Sequence, residues 1–386
     1  MFLLNNRKLL KRIDWLLILN TAAIIIFSVI AVSSTTSVLT AEELSIFDIA
    51  AYIDTDYAYL QLVFYGVALV AVAVVLFIDY NNLKDFTEAA YWISVALLVA
   101  VLFFGDEKNG TNGWFMIGSR GFQPAEFSKL VIIVVLAKET ARAAEKNGGL
   151  STVKSILPIL WRFAIPFGLI LAQPDLGSAF VYFFIMAGIL FAGKLNWKII
   201  AVVLAAVAVA IPVAWHFMAD YQKDRFLIFL DPYTDPLGKG LQTIRARTVI
   251  GAGGFFGKGL FSPELFTQQS NYLPEKHTDF LFASMVEACG FIGGFILILL
   301  YLFLILRILR IGYRAKDDFG RFICVGVAFM LIFHVVENIG MNIGVLPITG
   351  VPLPLFSYGG SNVLTTMLGI GLVLDVDMRR QSWELS

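Results

Sequence analysis

The sequence predicts an all-α polytopic membrane protein with ten transmembrane helices, both termini cytoplasmic, and one large extracytoplasmic loop between helices 7 and 8. Three observations predict it. Of 386 residues, 58% are hydrophobic and only 15% charged, whereas a soluble domain carries about 25% charge. Apolar windows of the roughly 17–25 residues that cross a bilayer recur at 15–34, 57–78, 88–105, 125–143, 156–172, 176–193, 197–216, 280–306, 321–339 and 361–377. Lys and Arg also segregate to alternate connections, which sets orientation. With the N-terminus inside, the inner segments hold eighteen cations, from Arg7, Lys8, Lys11 and Arg12 through to Arg379 and Arg380. The short outer loops hold only Lys108 and Arg120. Residues 1–386 read as a single membrane domain with no fixed-period repeat.

The first window follows "NNRKLLKR". Its apolar stretch of about 20 residues is too long for a secretory signal and long enough to span, so it reads as a retained helix. The fifth and sixth windows are separated only by "QPDLG" (173–177). Pro174 makes a hairpin of them, because the residue before a proline avoids the helical region. Two outer connections stand out: 106–124, containing "NGTNGWFMIGSRGFQP", and 217–279, a loop of 63 residues. The second is far longer than the usual connection, and its apolar periodicity predicts short helices on the membrane surface. Seven cations in it are balanced by seven acids. The whole chain has a formal net charge of zero, so no basic field draws it to nucleic acid. Cys289 and Cys324 lie inside apolar runs with neither metal-ligand nor disulfide spacing.

"GAGGFFGKG" (251–259) is not a phosphate loop: Ala252 and Gly259 break the Walker A pattern, and Phe256 breaks GxGxxG. It reads as a turn that lets backbone approach its neighbours. Ionisable residues within spans carry more information, because a charge at membrane depth is costly and faces a partner or a cavity. They are Glu126 with Lys129, Arg162, Glu287, and His334 with Glu337. Glu126 and Lys129 are three apart and share a helix face, forming either a self-neutralising pair or part of an outward-opening polar cavity. His334 and Glu337 have the same spacing and read first as a structural hydrogen bond.

"LPEKHTDF" (273–280) opens the eighth window. Locally it supports two readings. Thr278 or Asp279 could cap the helix that follows. Alternatively, Asp279 could be a carboxylate at the lip of a site, with Glu287 two turns deeper on a polar face. Partial desolvation would make such a carboxylate a better base.

Four segments together resemble the SEDS family (shape, elongation, division and sporulation), and within it the RodA branch. They are "NGWFMIGSRGFQPAEFSKL" (112–130), "QPDLGSA" (173–179), 221–242 running on through "GKGLF" to "LPEKHTDF", and "NIGMNIGVLPITGVPLPLFSYGGSN" (338–362). The resemblance covers essentially the whole chain. It implies a peptidoglycan glycosyltransferase, a hexosyltransferase that polymerises lipid II at the outer face of the bacterial cytoplasmic membrane during elongation and shape maintenance. It also implies a class B penicillin-binding protein as transpeptidase partner, alongside other membrane proteins of the elongation complex. Carried over to this chain, it makes Asp279 the essential acid and Trp114 functionally sensitive, and it assigns Glu126 and Lys129 to the "QPxExxK" segment. Arg245-Ala246 and "TQQSNY" (267–272) depart from the Gln-Ser and Gly-Thr-Gln found in many relatives.

On this reading Asp279 takes the proton of an attacking hydroxyl, oriented by His277. Lys129, Arg120, Arg245 and Lys276 offset charge on a departing diphosphate. Trp114 either stacks on a sugar or anchors its loop. No cofactor is implied, although Asp279 and Glu126 offer oxygens to a divalent cation. The rival class is a lipid II flippase or another transporter, which would show paired repeats and broken helices. A pure scaffold is the third class.

Overall fold

The computed structural model describes residues 13–36, 56–108, 111–118, 120–150, 152–196, 199, 201, 223, 228–236, 240–260, 273 and 275–380. Its helices are α1 (Trp15–Thr36), α2 (Asp56–Phe77), α3 (Leu83–Phe104), α4 (Pro124–Asn147), α5 (Val153–Ala172), α6 (Leu176–Ala192), α7 (Leu241–Ala252), α8 (Leu281–Tyr313), α9 (Asp318–Ile343) and α10 (Gly360–Met378). Among the described residues, 7 helices are long and apolar enough to cross a membrane: α1, α2, α3, α5, α8, α9 and α10. This is a multi-pass membrane protein. Helix α4 matches its predicted window but carries more charge, and α6 matches but is shorter, at 17 residues. The predicted window 197–216 lies almost entirely outside the described residues, and so does much of the 217–279 loop. Helix α7 is the short helix expected within that loop.

The seven candidate spans are apolar nearly all round, as spans must be when both lipid and protein surround them. Large apolar side chains such as Leu69, Val70, Phe103 and Phe104 are exposed on the outer faces. Helices α9 and α10 are the most enclosed. Close approach at the centre depends on small residues. Gly326 of α9 faces Ile133 of α4 and Ile189 of α6, and Gly371 of α10 faces Val72 of α2. The end of the bundle opposite to Asp279 is tied by ion pairs, among them Arg307–Asp14 at 2.7 Å and Arg379 with Asp79 and Asp375. Arg162 is met by Glu88 at 2.6 Å and Glu139 at 3.7 Å, so its charge inside α5 is balanced by α3 and α4.

The purely α expectation needs one correction. The strands β1 (Asp106–Lys108), β2 (Thr111–Ile117) and β3 (Arg120–Phe122) form a three-stranded antiparallel sheet. The strands are too short for their alternation to stand out in a 19-residue hydropathy window. Pro174 does divide α5 from α6.

Helix α8 is broken at Gly290, whose φ is 69°. The glycine-rich stretch docks its main chain into that break: Phe291 N donates to Gly254 O at 2.9 Å, Lys258 N to Glu287 O at 3.0 Å, and Gly259 N to Ala288 O at 3.0 Å. Backbone groups freed by the kink are thereby satisfied. Lys258 Nζ also pairs with the buried Glu287 at 2.6 Å, so Glu287 anchors a loop and does not extend a polar face from Asp279. Gly290→Ala is expected to lower the unfolding midpoint in detergent. With ψ at −170° the residue sits in a region that essentially only glycine occupies, so another residue there costs about 1–3 kcal/mol, and the new Cβ would meet the Phe255 backbone. Greater protease cutting within 253–259 should accompany that drop; an unchanged midpoint would contradict this account of the break.

Candidate active site

Asp279 lies where α8, the end of α9 and the 344–359 connection converge. Three successive carbonyls of its segment are held from outside. His277 O accepts from Tyr358 N at 3.0 Å, and Thr278 O from Ser357 Oγ at 2.7 Å. Asp279 O accepts from the side-chain amides of both Asn338 and Asn342, each at 3.0 Å. The carboxylate faces Gly350: a Cβ built there would sit 3.5 Å from Asp279 Oδ2, and the φ of Gly350 is +75°. A side chain at Gly350 would therefore be both strained and pressed on the acid.

The capping expectation is corrected. Helix α8 starts at Leu281 with Phe280 in the cap position and no side-chain bond from that residue. Its third N–H, that of Ala283, donates instead to Asn342 Oδ1 at 3.2 Å. A side chain from α9 thus does the work expected of Thr278 or Asp279, whose positions precede the cap. Thr278 Oγ1 bonds Glu275, at 2.9 Å to Oε2.

The connection that holds the segment is itself pinned by polar groups on three helices. Ser28 donates to Phe356 O at 2.6 Å, Tyr65 to Leu355 O at 2.5 Å, and Tyr301 to Pro354 O at 2.5 Å. Gln61 bonds Ser357 O and takes the Gly359 N–H, both at 3.3 Å. The ring of His277 packs on Tyr57 and Tyr358, with centroids 4.5 and 5.6 Å away.

The predicted cations fall into separate places. Lys276 lies three residues before Asp279, and burial pushes its ammonium below the usual lysine range. Arg245 is half-buried on α7. A small apolar cluster of Ala246, Val249, Leu273, Phe280 and Ala283 packs α7 against the start of α8. The neighbouring Arg247, which the sequence reading did not select, donates to Gly344 O at 2.6 Å. Arg120 lies on β3 with its Cα opposite Ile117. Trp114 lies on β2 with its ring over Gly121. That sheet joins the site through Gln123, whose amide donates to Asp175 Oδ2 at 3.1 Å at the start of α6. Gly177, in the first turn of α6, packs on Thr349 and Val351 either side of Gly350.

Glu126 and Lys129 sit in the interior. Lys129 Nζ is 2.5 Å from Glu126 Oε1 and 3.2 Å from His334 Nε2, with Lys129 only 1% exposed. His334 Nδ1 lies 2.7 Å from Met330 O. A carbonyl only accepts and an ammonium only donates, so Nδ1 carries the proton and Nε2 accepts. The Glu126–Lys129 pair expected from their spacing is present, enlarged by His334, and the expected His334–Glu337 bond is replaced. Glu337 instead accepts from Thr349 Oγ1 at 2.8 Å. His334, Asn338 and Asn342 recur every four residues and share one face of α9, linking this triad to the Asp279 backbone. Asn338 and Asn342 were absent from the predicted site. Their 338/342 spacing within an apolar span was the available signal.

Of the two carboxylates the sequence offers to a divalent cation, Glu126 is committed to Lys129. Among the described residues, no group of three or more His, Cys, Asp and Glu gathers where a metal could be held.

Known proteins resemble this chain over most of its length. A family model described as "Cell cycle protein", FTSW_RODA_SPOVE, matches residues 14–382. Peptidoglycan glycosyltransferase MrdB of Escherichia coli (strain K12) is 38% identical over 321 residues, covering 82% of this chain and 84% of MrdB. A chain of a solved peptidoglycan synthase complex that coordinates polymerization and crosslinking superposes with a TM-score of 0.78 at 33% identity, covering 95% of this chain and 97% of that one. The crystal structure of the Thermus thermophilus rod shape determining protein RodA gives a TM-score of 0.68 at 29% identity, with 95% and 97% coverage.

Proposed function

We infer the reaction from one premise: this chain belongs to the FTSW_RODA_SPOVE family of cell cycle proteins. It is a peptidoglycan glycosyltransferase of the RodA type. We propose that it extends glycan strands from lipid II at the outer face of the bacterial cytoplasmic membrane, with Asp279 as general base. The observation that carries the site assignment is the clamped Asp279 segment facing Gly350.

In this mechanism the 4-hydroxyl of one saccharide attacks the anomeric carbon of another. Asp279 takes the hydroxyl proton as the new C–O bond forms. The bond to the lipid diphosphate breaks, and the anomeric centre inverts in a single displacement. Negative charge grows on the diphosphate, so cations placed in advance stabilise the transition state more than the ground state. Lys276, Arg245 and Arg120 are the residues proposed for that role. The buried triad leaves Lys129 less suited to direct contact, and supports a role for it in setting the packing beneath the site. Trp114, half-buried on its own sheet, is proposed to border the substrate. A class B penicillin-binding protein is the proposed partner for crosslinking, consistent with the likeness to a synthase complex.

The test is formation of glycan by purified protein and its partner from lipid II in detergent, in the presence of moenomycin. A polymerase makes long strands without any transmembrane gradient. A flippase makes none, and that outcome would overturn the proposal.

A further inference from the structure

We propose that Asn338 and Asn342 are positioning residues of the polymerase, setting the Asp279 carboxylate against Gly350 by gripping the main chain on both sides of the gap. The proposal rests on the reading of Asp279 as base.

Four observations lead to it. Both amides are fully buried, so each unmet hydrogen-bonding group would carry a penalty. Both donate to the same carbonyl, that of Asp279. Asn338 Nδ2 also donates to Val351 O at 2.9 Å, which fastens the residue after Gly350. One amide therefore fixes the backbone that carries the acid and the backbone that the acid faces. Asn342 Oδ1 completes the frame by accepting from Ala283 N, and its Nδ2 bonds Asn338 O at 2.8 Å. Helix start, acid and facing wall are thus registered to two side chains one turn apart on α9. A general base must sit within hydrogen-bond reach of the proton it removes, and small misplacements of such groups are expensive in rate.

The experiment compares Asn342→Ala, Asn342→Asp and Asn338→Ala, in full-length protein with its partner, for lipid II polymerisation. Each is made in the parent and in an Asp279→Ala background, with elution volume and melting midpoint as checks on folding. Asn342→Asp keeps the oxygen that accepts from Ala283 and replaces the amide donor with a second oxygen facing Asp279 O. The expected result is a fall in kcat of about 10–100-fold, because a misplacement near 1 Å can cost 10²-fold, with KM changed by less than about two-fold. In the Asp279→Ala background the same substitutions should lower the residual rate less than about two-fold, since residues acting as a unit are non-additive. Parental kcat in folded variants overturns the proposal, as does an equal loss in both backgrounds. Failure of all three variants to fold assigns the amides to stability alone and overturns it too. If Asp279→Ala itself polymerises normally, the base assignment falls whatever the amides do. If Asp279→Ala is inactive while Asn342→Ala is fully active, only the positioning role falls.

Discussion

Asp279→Ala is expected to reduce glycan synthesis by roughly 10²–10⁴-fold, the contribution typical of a positioned general base, while the protein still folds. Folding should survive because the grip on this segment is on its main chain. The carbonyls of residues 277, 278 and 279 accept from Tyr358, Ser357 and the two asparagines, and none of these bonds involves the carboxylate. Asp279→Asn should lose as much activity, since it keeps the shape and removes the basic oxygen. Asp279→Glu moves the carboxylate by one methylene towards a wall already close at Gly350, so its rate should lie between parent and alanine variant. Initial rates of strand formation, read beside melting midpoints in detergent, check all three. Near-parental rates for Asp279→Ala would exclude the base role.

What could be read beforehand followed from how local each signal is. Spans are legible because the bilayer demands an apolar stretch of set length, and α8, α9 and α10 begin or end within a few residues of their windows. The hairpin at Pro174 is legible because proline acts on its immediate neighbour. The β-sheet is not legible because its strands are only 3, 7 and 3 residues long, too short to stand out in the hydropathy pattern. The clamp on Asp279 was missed for a different reason. Tyr65 reaches Leu355 across 290 positions, and Asn342 reaches Asp279 across 63. No periodicity within one helix shows which distant carbonyl a buried amide will find. The pairing of Glu126 with Lys129 was visible from their spacing, but His334 joined them from another helix.

Lys129→Met is expected to be the most destabilising single change in the interior. It removes an ammonium that is 1% exposed and bonded to Glu126, which is itself 5% exposed, at 2.5 Å. Methionine fills nearly the same volume, so the cost arises from charge and not from a cavity. The Glu126 carboxylate is left without its counter-ion in a low-dielectric setting, and His334 Nε2 loses its donor at the same time. Breaking a buried pair from one side costs about 3–5 kcal/mol, which should appear as a large drop in the detergent melting midpoint and in yield. Glu126→Gln combined with Lys129→Met removes both charges, and replacing a whole buried pair by neutral groups is often close to neutral. The double variant should therefore be more stable than Lys129→Met alone, a coupling that two independent residues would not show. That recovery separates fold from chemistry. A double variant that melts like the parent and polymerises lipid II would confine Glu126 and Lys129 to holding α4 against α9. One that melts like the parent but makes no glycan would place the pair in the reaction, linked to Asp279 along the His334, Asn338 and Asn342 face of α9.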